Sequence, residues 1–371
     1  MGVSAGALEA MVADSLSTWR GRKVFLTGHT GFKGSWLALW LHHLGASVYG
    51  YALDPPTTPS LFDLARVGDL LASDTRADVA LLDRLTAAMD AARPDIVFHL
   101  AAQPLVGYSY MQPRETFATN VMGTAHLLEA VRAVDSVRAV VVVTTDKVYE
   151  TDGAGRPHSE GDRLGGHDPY SASKAAAEIV AASYRASFFQ ASARRAANIA
   201  TARAGNVIGG ADWALDRLLP DCVRSFTRGE PVRLRYPEAV RPWQHVLEPL
   251  CGYLHLGERL LAAPGERFAA AWNFGPGESG DATVREVAEL AARVWGSGAR
   301  VEIDSTSQHA YETGYLRLDA TQARAQLGWL PRWSLEEAVQ NTLMWYRDWL
   351  AGADALQLCL SQIEQYEKRL A

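Results

Sequence analysis

The chain has 371 residues, enough for one large or two ordinary domains with a proper core, and 48% hydrophobic and 21% charged residues suit a soluble globular protein. A net charge of -6 gives no basic field, which argues against nucleic acid or an anionic membrane as partner. Three scattered cysteines, Cys222, Cys251 and Cys359, argue against a disulfide framework or a Cys-based zinc site and fit a reducing cytosol; no metal is expected.

Residues 1–18 carry Glu9 and Asp14, lack the apolar core of a secretory signal, and read as a short helical or mobile extension. No apolar run is long enough to span a bilayer, so a cytoplasmic location is expected. Residues 23–27 then read as a buried strand that runs into Gly28-His29-Thr30-Gly31-Phe32-Lys33-Gly34 and an apolar helix over 35–44. Strand, glycine-rich turn and helix in that order form the context of a dinucleotide fingerprint. The glycines let the backbone approach a pyrophosphate, and the helix N-terminus offers it free N–H groups. Gly28, Thr30, Gly31, Phe32 and Gly34 are therefore candidate cofactor residues, with His29 and Lys33 read as solvent-facing.

A second strand over 47–53 ends in Asp54, twenty residues beyond Gly34, where a carboxylate accepts from adenosine ribose hydroxyls. No Arg follows closely to meet a 2′-phosphate, so NAD is favoured over NADP. The alternative is that Asp54 caps the Pro-rich turn after it. Asp74 is placed for the adenine amino group, an exposed turn aspartate being nearly as good a reading. Residues 95–102 form the next buried strand, whose end, with Ala101, passes beneath the cofactor. The helix over 115–134 carries Asn120, either a core hydrogen bonder or an organiser of the catalytic lysine.

The most hydrophobic strand, 137–145, delivers Thr144-Thr145-Asp146-Lys147 at its carboxyl end, the edge where open α/β sheets bind ligands. A loop over 151–168 leads to Asp168-Pro169-Tyr170, with Pro placed to open a helix that runs to about residue 191. Tyr170 and Lys174 share one face of that helix, so the ammonium lowers the phenol's pKa toward working pH. A phenol so tuned takes a proton from an alcohol while a nicotinamide takes the hydride; the bland alternative is a chance pair on a surface helix. A strand over 198–203 completes a doubly wound, parallel, Rossmann-like α/β sheet across 22–206.

Beyond residue 206 the alternation breaks. Helices are expected over 217–228, 250–261, 284–294 and 335–350, with a further strand at 272–275 and a short helix ending at Leu327. The division expected is an extension (1–18), a cofactor-binding domain (19–206 and 240–275) and a smaller, mostly helical substrate domain (207–239 and 276–371).

Several stretches, VFLTGHTGFKGSWLALWL, TTDKVYE, PYSASKAAAE, ARAGNVIGGADW, VRPWQHVLEPL and LDATQARAQLGWLPRWSLEEAV among them, resemble the extended short-chain dehydrogenase/reductase family, and within it the dehydratases that act on CDP-glucose. The resemblance covers about residues 19–340. It implies oxidation of the sugar at carbon 4 by NAD, elimination of water across carbons 5 and 6, and hydride return to carbon 6, feeding deoxysugar synthesis. It further implies Tyr170 as base for the 4-hydroxyl, tuned by Lys174, with Thr145 on the 4-oxygen and Asp146 as acid for the leaving 6-hydroxyl. Dehydratases acting on dTDP-glucose carry Glu after the Asp as base for carbon 5; here Lys147 stands there. It is a base only if burial or positive charge lowers its pKa, and otherwise a partner for the enolate or, at the surface, for Glu150 or Glu160.

A CDP-sugar needs cations for its pyrophosphate and polar edges for cytosine. Arg241 and Arg235 offer guanidinium forks, Asn206 and His245 could reach the diphosphate or sugar, Leu219 and Pro220 line the base pocket, and Glu312 could accept from the cytosine amino group. The rival readings are a nucleotide-sugar 4-epimerase, which has no use for an acid beside Thr145, and a non-catalytic NAD-binding scaffold. Helices 115–134 and 170–190 are apolar over more than one face, and relatives pair such helices in a four-helix interface; a homodimer or homotetramer is expected.

Overall fold

The computed structural model describes residues 16–150, 155–189, 197–277, 280–296, 298–304 and 314–370. Seven parallel strands make the central sheet: β1 (Lys23–Thr27), β2 (Ser47–Ala52), β3 (Ser73–Arg76), β4 (Ile96–His99), β5 (Ala139–Val143), β6 (Asn198–Ala204) and β7 (Ala271–Phe274). Their order is β7-β6-β5-β4-β1-β2-β3, so the direction of winding reverses between β1 and β4. A crevice opens at that switch point, above the carboxyl ends of the strands. All five residues of β5, Ala-Val-Val-Val-Val, are buried, as a strand covered on both faces requires.

One face of the sheet is covered by α1 (Phe32–His43) and the other by α2 (Leu82–Ala92), α3 (Gly123–Ala133) and α4 (Pro169–Phe188). Asp168 caps α4 by accepting from the Ser171 N–H at 2.9 Å, with Pro169 in the first turn, as the sequence anticipates. The helix expected over 115–134 is present in three pieces: Pro113–Phe117, a π-helical turn over Ala118–Met122, and α3. Asn120 sits in the π turn, a distortion that turns its side chain inward.

After β6 the chain leaves the sheet, forms α5 (Leu218–Thr227), and returns through α6 (Leu247–Leu261), which packs on the α1 face. Three short strand pairs fix the smaller region: Val207–Ile208 with Gln244–His245, Pro231–Leu234 with Arg300–Ile303, and Val240–Pro242 with Asp281–Thr283. Helices α7 (Val284–Trp295) and α8 (Leu335–Leu350) both open on complete capping boxes, Thr283 with Glu286 and Ser334 with Glu337.

Among the helices not expected are α2 and, near the end of the chain, α9 (Ala355–Glu367), capped by Asp354. Helix α9 buries Cys359, Ile363 and Tyr366 and closes over α1, where the Trp40 indole donates to Glu367 at 2.8 Å and stacks edge-on to Tyr366. That cover explains why α1 is buried from Gly34 through Leu41 instead of showing one wet face. Among the described residues no helix is long and apolar enough to cross a membrane.

Candidate active site

The glycine loop has a tight inner side and an open outer one. Gly28 adopts φ +76, and a Cβ there would lie 2.6 Å from the Ala101 nitrogen; one on Gly34 would lie 2.0 Å from the Gly28 carbonyl oxygen. Neither position admits a side chain. Above Gly31 a Cβ would meet nothing nearer than 3.4 Å, and α1 starts there with no side-chain cap on its N–H groups. Room and free donors coincide, which is what a dinucleotide pyrophosphate requires. Thr30 ties the loop to β2 by donating to the Leu53 carbonyl at 2.9 Å, and Ala101 is held by its N–H on the Thr27 hydroxyl at 3.2 Å.

Three expectations about this end of the site need correction. His29 is fully buried, not solvent-facing: its Nε2 meets Asp74 at 2.8 Å and its ring packs edge-on against Phe62. Asp74 is accordingly not a free turn aspartate. Burial would raise its pKa, but hydrogen bonds from Arg76 and His29 hold it below the usual carboxylate range. And an arginine does stand beside Asp54: Arg76, from the adjacent strand, reaches it at 3.3 Å while gripping Asp74 at 2.7 and 2.9 Å. Two carboxylates engage that guanidinium, so the pocket edge still disfavours a 2′-phosphate.

The ends of β5 and α4 bring the five catalytic candidates together. Asp146 is buried beside Thr145, whose hydroxyl donates to its Oδ1 at 2.9 Å; Oδ2 is buried without a partner. Desolvation raises its pKa, opposed by Lys147, the Thr145 hydrogen bond and Arg241. Gly205, after β6, makes this possible, since a Cβ there would crowd Oδ2 at 3.1 Å and Pro242 at 2.4 Å. A buried carboxyl with a raised pKa and one free oxygen is equipped to donate a proton.

Tyr170 is also buried, and Thr145 hydrogen-bonds to it. Its phenol is pushed up to about 12 by burial, with the Thr145 hydrogen bond and the Arg217 charge drawing it down. The expected lowering by Lys174 is not what this structure shows. Lys174 donates to the Val143 carbonyl at 2.8 Å, and burial brings its own pKa to about 8. Behind it, Glu178 accepts from Thr144 at 2.5 Å, Thr201 at 2.6 Å and Arg203 at 2.9 and 3.0 Å. That satisfied carboxylate fixes the strand end from which Thr145 and Asp146 project. Asn120 serves the same helix as a core hydrogen bonder: it donates to Ser173 at 2.8 Å and not to the lysine.

Lys147 is half-buried and its charge acts on Asp146, while Glu150 faces Arg163 and Glu160 accepts from the Asn273 N–H. Arg241 is buried with its charge felt at Asp146, and Asn206 lies at the turn after β6. Leu219 and Pro220 are buried in the first turn of α5; Arg235, paired with Asp216 at 2.8 Å, also faces that turn through Asp221. His245 is set apart. It is enclosed between Trp36 and Trp333 in the core, with its pKa brought to about 3 by burial. Glu312 lies outside the described residues.

Two cations of the site escaped the sequence. Arg217, held by Asp212 at 2.7 Å, acts on both Tyr170 and Lys33. Lys33, read as solvent-facing, turns its ammonium inward onto the Tyr253 hydroxyl at 3.0 Å. A residue of a fingerprint loop is normally judged by its backbone role, and nothing in the spacing signals an inward side chain.

A family model described as GDP-mannose 4,6 dehydratase matches residues 25–342. The chain belongs to that family. It is 47% identical over 350 residues to the CDP-glucose 4,6-dehydratase of Salmonella typhimurium, covering 94% of this chain and 97% of that one. It is 29% identical to the dTDP-glucose 4,6-dehydratase of Streptomyces antibioticus, over 88% of this chain and 92% of the relative. Among solved structures, MoeE5 in complex with UDP-glucose and NAD superposes with a TM-score of 0.73 at 28% identity, covering 88% of this chain and 99% of its own.

Proposed function

We propose that the protein is a CDP-glucose 4,6-dehydratase, forming CDP-4-dehydro-6-deoxyglucose and water. The observation that carries this reading is Asp146: a buried carboxyl with an unpartnered oxygen, touching Thr145 beside Tyr170, is an acid that 4-epimerisation does not need. The choice of CDP is supported by the 47% identical relative. NAD, held by the loop of residues 28–34 with Asp54, Asp74, Ala101, Tyr170 and Lys174, would supply a hydride acceptor for carbon 4 and a donor for carbon 6. Tyr170 takes the proton of the 4-hydroxyl while Thr145 orients that oxygen. Ketone formation acidifies carbon 5; water takes that proton while Asp146 protonates the departing 6-hydroxyl, and a proton returns to carbon 5 as the hydride reaches carbon 6. Lys147 places a cation where the enolate forms. Arg241, Asn206 and Arg217 are the polar groups offered to the sugar diphosphate, with Arg235, Leu219 and Pro220 toward the base, so that residues 207–239 and 276–371 act as the substrate domain over the cofactor domain.

The decisive experiment offers the purified protein CDP-, dTDP-, UDP- and GDP-glucose, with and without added NAD. A 4-keto-6-deoxy sugar from CDP-glucose, its carbon 6 bearing the hydrogen lost from carbon 4, is expected. CDP-galactose, or a product that retains the elements of water, overturns the reading.

The same reading includes a homodimer or a pair of dimers. Met111, Met122 and Ile179 are 69, 51 and 59% exposed, and with Phe117 and Phe188 they mark apolar surface on the 106–122 segment and α4. Such a patch on two adjacent helices suits a second copy of the same helices. Met122→Glu combined with Ile179→Glu should shift the protein to monomers in sedimentation velocity; an unchanged mass would move the interface elsewhere.

A further inference from the structure

The acid of this site and its redox pair are held by different supports. Tyr170 and Lys174 belong to α4, and Lys174 is tied directly to β5 through the Val143 carbonyl at 2.8 Å. Asp146 and Lys147 instead occupy a single 3-10 turn, Asp146–Val148, that opens after Thr145 and closes at Tyr149. So short a turn has few and poorly aligned hydrogen bonds of its own. The direction of the Asp146 carboxyl therefore depends on what fixes the two ends.

One buried ion pair fixes both. Glu178 of α4 and Arg203 of β6 are buried and meet through two hydrogen bonds, at 3.0 and 2.9 Å. At the near end of the turn the Thr144 hydroxyl donates to Glu178 at 2.5 Å. The Thr144 N–H also donates to the Ala202 carbonyl at 2.8 Å, which keeps the strand end, and Thr145 with it, in register. At the far end the Tyr149 hydroxyl accepts from Arg203 Nη1 at 2.8 Å and donates to Asn273 Oδ1 at 2.6 Å. Burial keeps that phenol neutral, so it serves as acceptor and donor at once. Asn273, near the end of β7, donates through Nδ2 to the carbonyls of His158 and Asp319 at 2.9 and 3.0 Å. The His158 ring lies flat on Tyr149 with centroids 4.8 Å apart, and the Tyr149 backbone bridges to Leu164. The Tyr149 side chain is thus where β6, β7 and the loop after the catalytic turn cross. Glu178 lies four residues after Lys174 and eight after Tyr170 on one face of α4, so the ion pair sets the acid-bearing turn against the base-bearing helix. Gly205, two residues beyond Arg203, lies against Oδ2 of Asp146.

We propose that Glu178, Arg203 and Tyr149 clamp both ends of the 146–148 turn and so aim Asp146 at the leaving 6-hydroxyl. They are positioning residues for the elimination step, and the inference rests on the dehydratase reading above. Tyr149→Phe removes one hydroxyl and keeps the ring on His158. In stopped-flow absorbance with CDP-glucose, reduced cofactor should form within about twofold of the parent rate. Its decay should be slower by about tenfold to a hundredfold, the order of loss that a misplacement of about 1 Å brings. Thr144→Val, which releases the near end, should show the same slow decay. Thr144→Ser returns a hydroxyl to Glu178 and should recover the parent decay. In an Asp146→Asn background Tyr149→Phe should change the residual decay by less than about twofold, because a residue acting through Asp146 then has nothing left to aim.

Formation and decay slowed alike in Tyr149→Phe, or a further tenfold loss in the double variant, would overturn the clamp by reducing it to general structural support. Parent-like decay in either Tyr149→Phe or Thr144→Val, or a Thr144→Ser enzyme no better than Thr144→Val, would overturn it as well. The Thr144 pair carries the test should Tyr149→Phe fail to fold. Failure of the dehydratase reading itself would show earlier and differently, as absence of 4-keto-6-deoxy sugar from the unaltered protein.

Discussion

Asp146→Asn should allow oxidation at carbon 4 and stop the reaction there, so that the absorbance of reduced cofactor builds up on the enzyme. An amide has the shape of the acid without its proton, and general-acid steps of this kind contribute about 10²–10⁴ in rate. The environment is arranged for the protonated form: the residue is buried, Thr145 satisfies Oδ1, and Oδ2 has no donor that would stabilise a second negative oxygen. Desolvation raises the folded-state pKa above that of a free carboxyl, and Lys147 and Arg241 limit the rise. The sign follows directly. An acid with a raised pKa stays competent above the ordinary carboxyl range and is lost as pH rises through its folded value, so the limb of kcat governed by Asp146 falls with rising pH. Rapid-scan spectroscopy of the variant with CDP-glucose checks the first claim; turnover at the parent rate would remove Asp146 from the acid role.

The architecture was legible wherever local pattern and tertiary environment agree. β1 and α1 are written as apolar runs on either side of the glycine-rich turn, and Asp168-Pro169 announces the start of α4 just before Tyr170. The strand that delivers Thr145 and Asp146 is uniformly apolar because helices cover both its faces. What escaped depends on where a side chain turns once the chain is packed. Lys33 and His29 occupy a loop whose backbone role is plain, and their inward orientation is set by Tyr253 on α6 and by Asp74 on β3, 220 and 45 residues away. Arg76 lies 22 residues beyond Asp54 and meets it only because β2 and β3 are neighbours. Helix α9 did carry a readable signal, Cys359, Ile363 and Tyr366 at helical spacing behind the Asp354 cap, beyond the stretch in which the family motifs fall.

Tyr170→Phe has the complementary expected outcome: cofactor stays bound, no reduced form accumulates, and turnover falls by about 10²–10⁴. The two variants therefore divide the reaction, one blocked before the redox step and the other after it. The phenol begins far from its working state, since burial pushes its pKa up to about 12 and the charges of Asp146 and Asp168 add to the rise. Protonation of Asp146 removes one of those opposing charges, so a proton held there favours the phenolate at Tyr170. Raising pH increases the phenolate fraction, which gives the oxidation step a rising limb opposite in sign to that of Asp146, and the overall profile is bell-shaped. Arg217, fixed by Asp212 at 2.7 Å, is among the influences that lower the phenol. Arg217→Met should then move the rising limb to higher pH, read as cofactor reduction in the Asp146→Asn background where elimination no longer interferes. A limb that stays in place would mean that Arg217 serves the sugar diphosphate alone and that Tyr170 is tuned by other groups of the assembled site.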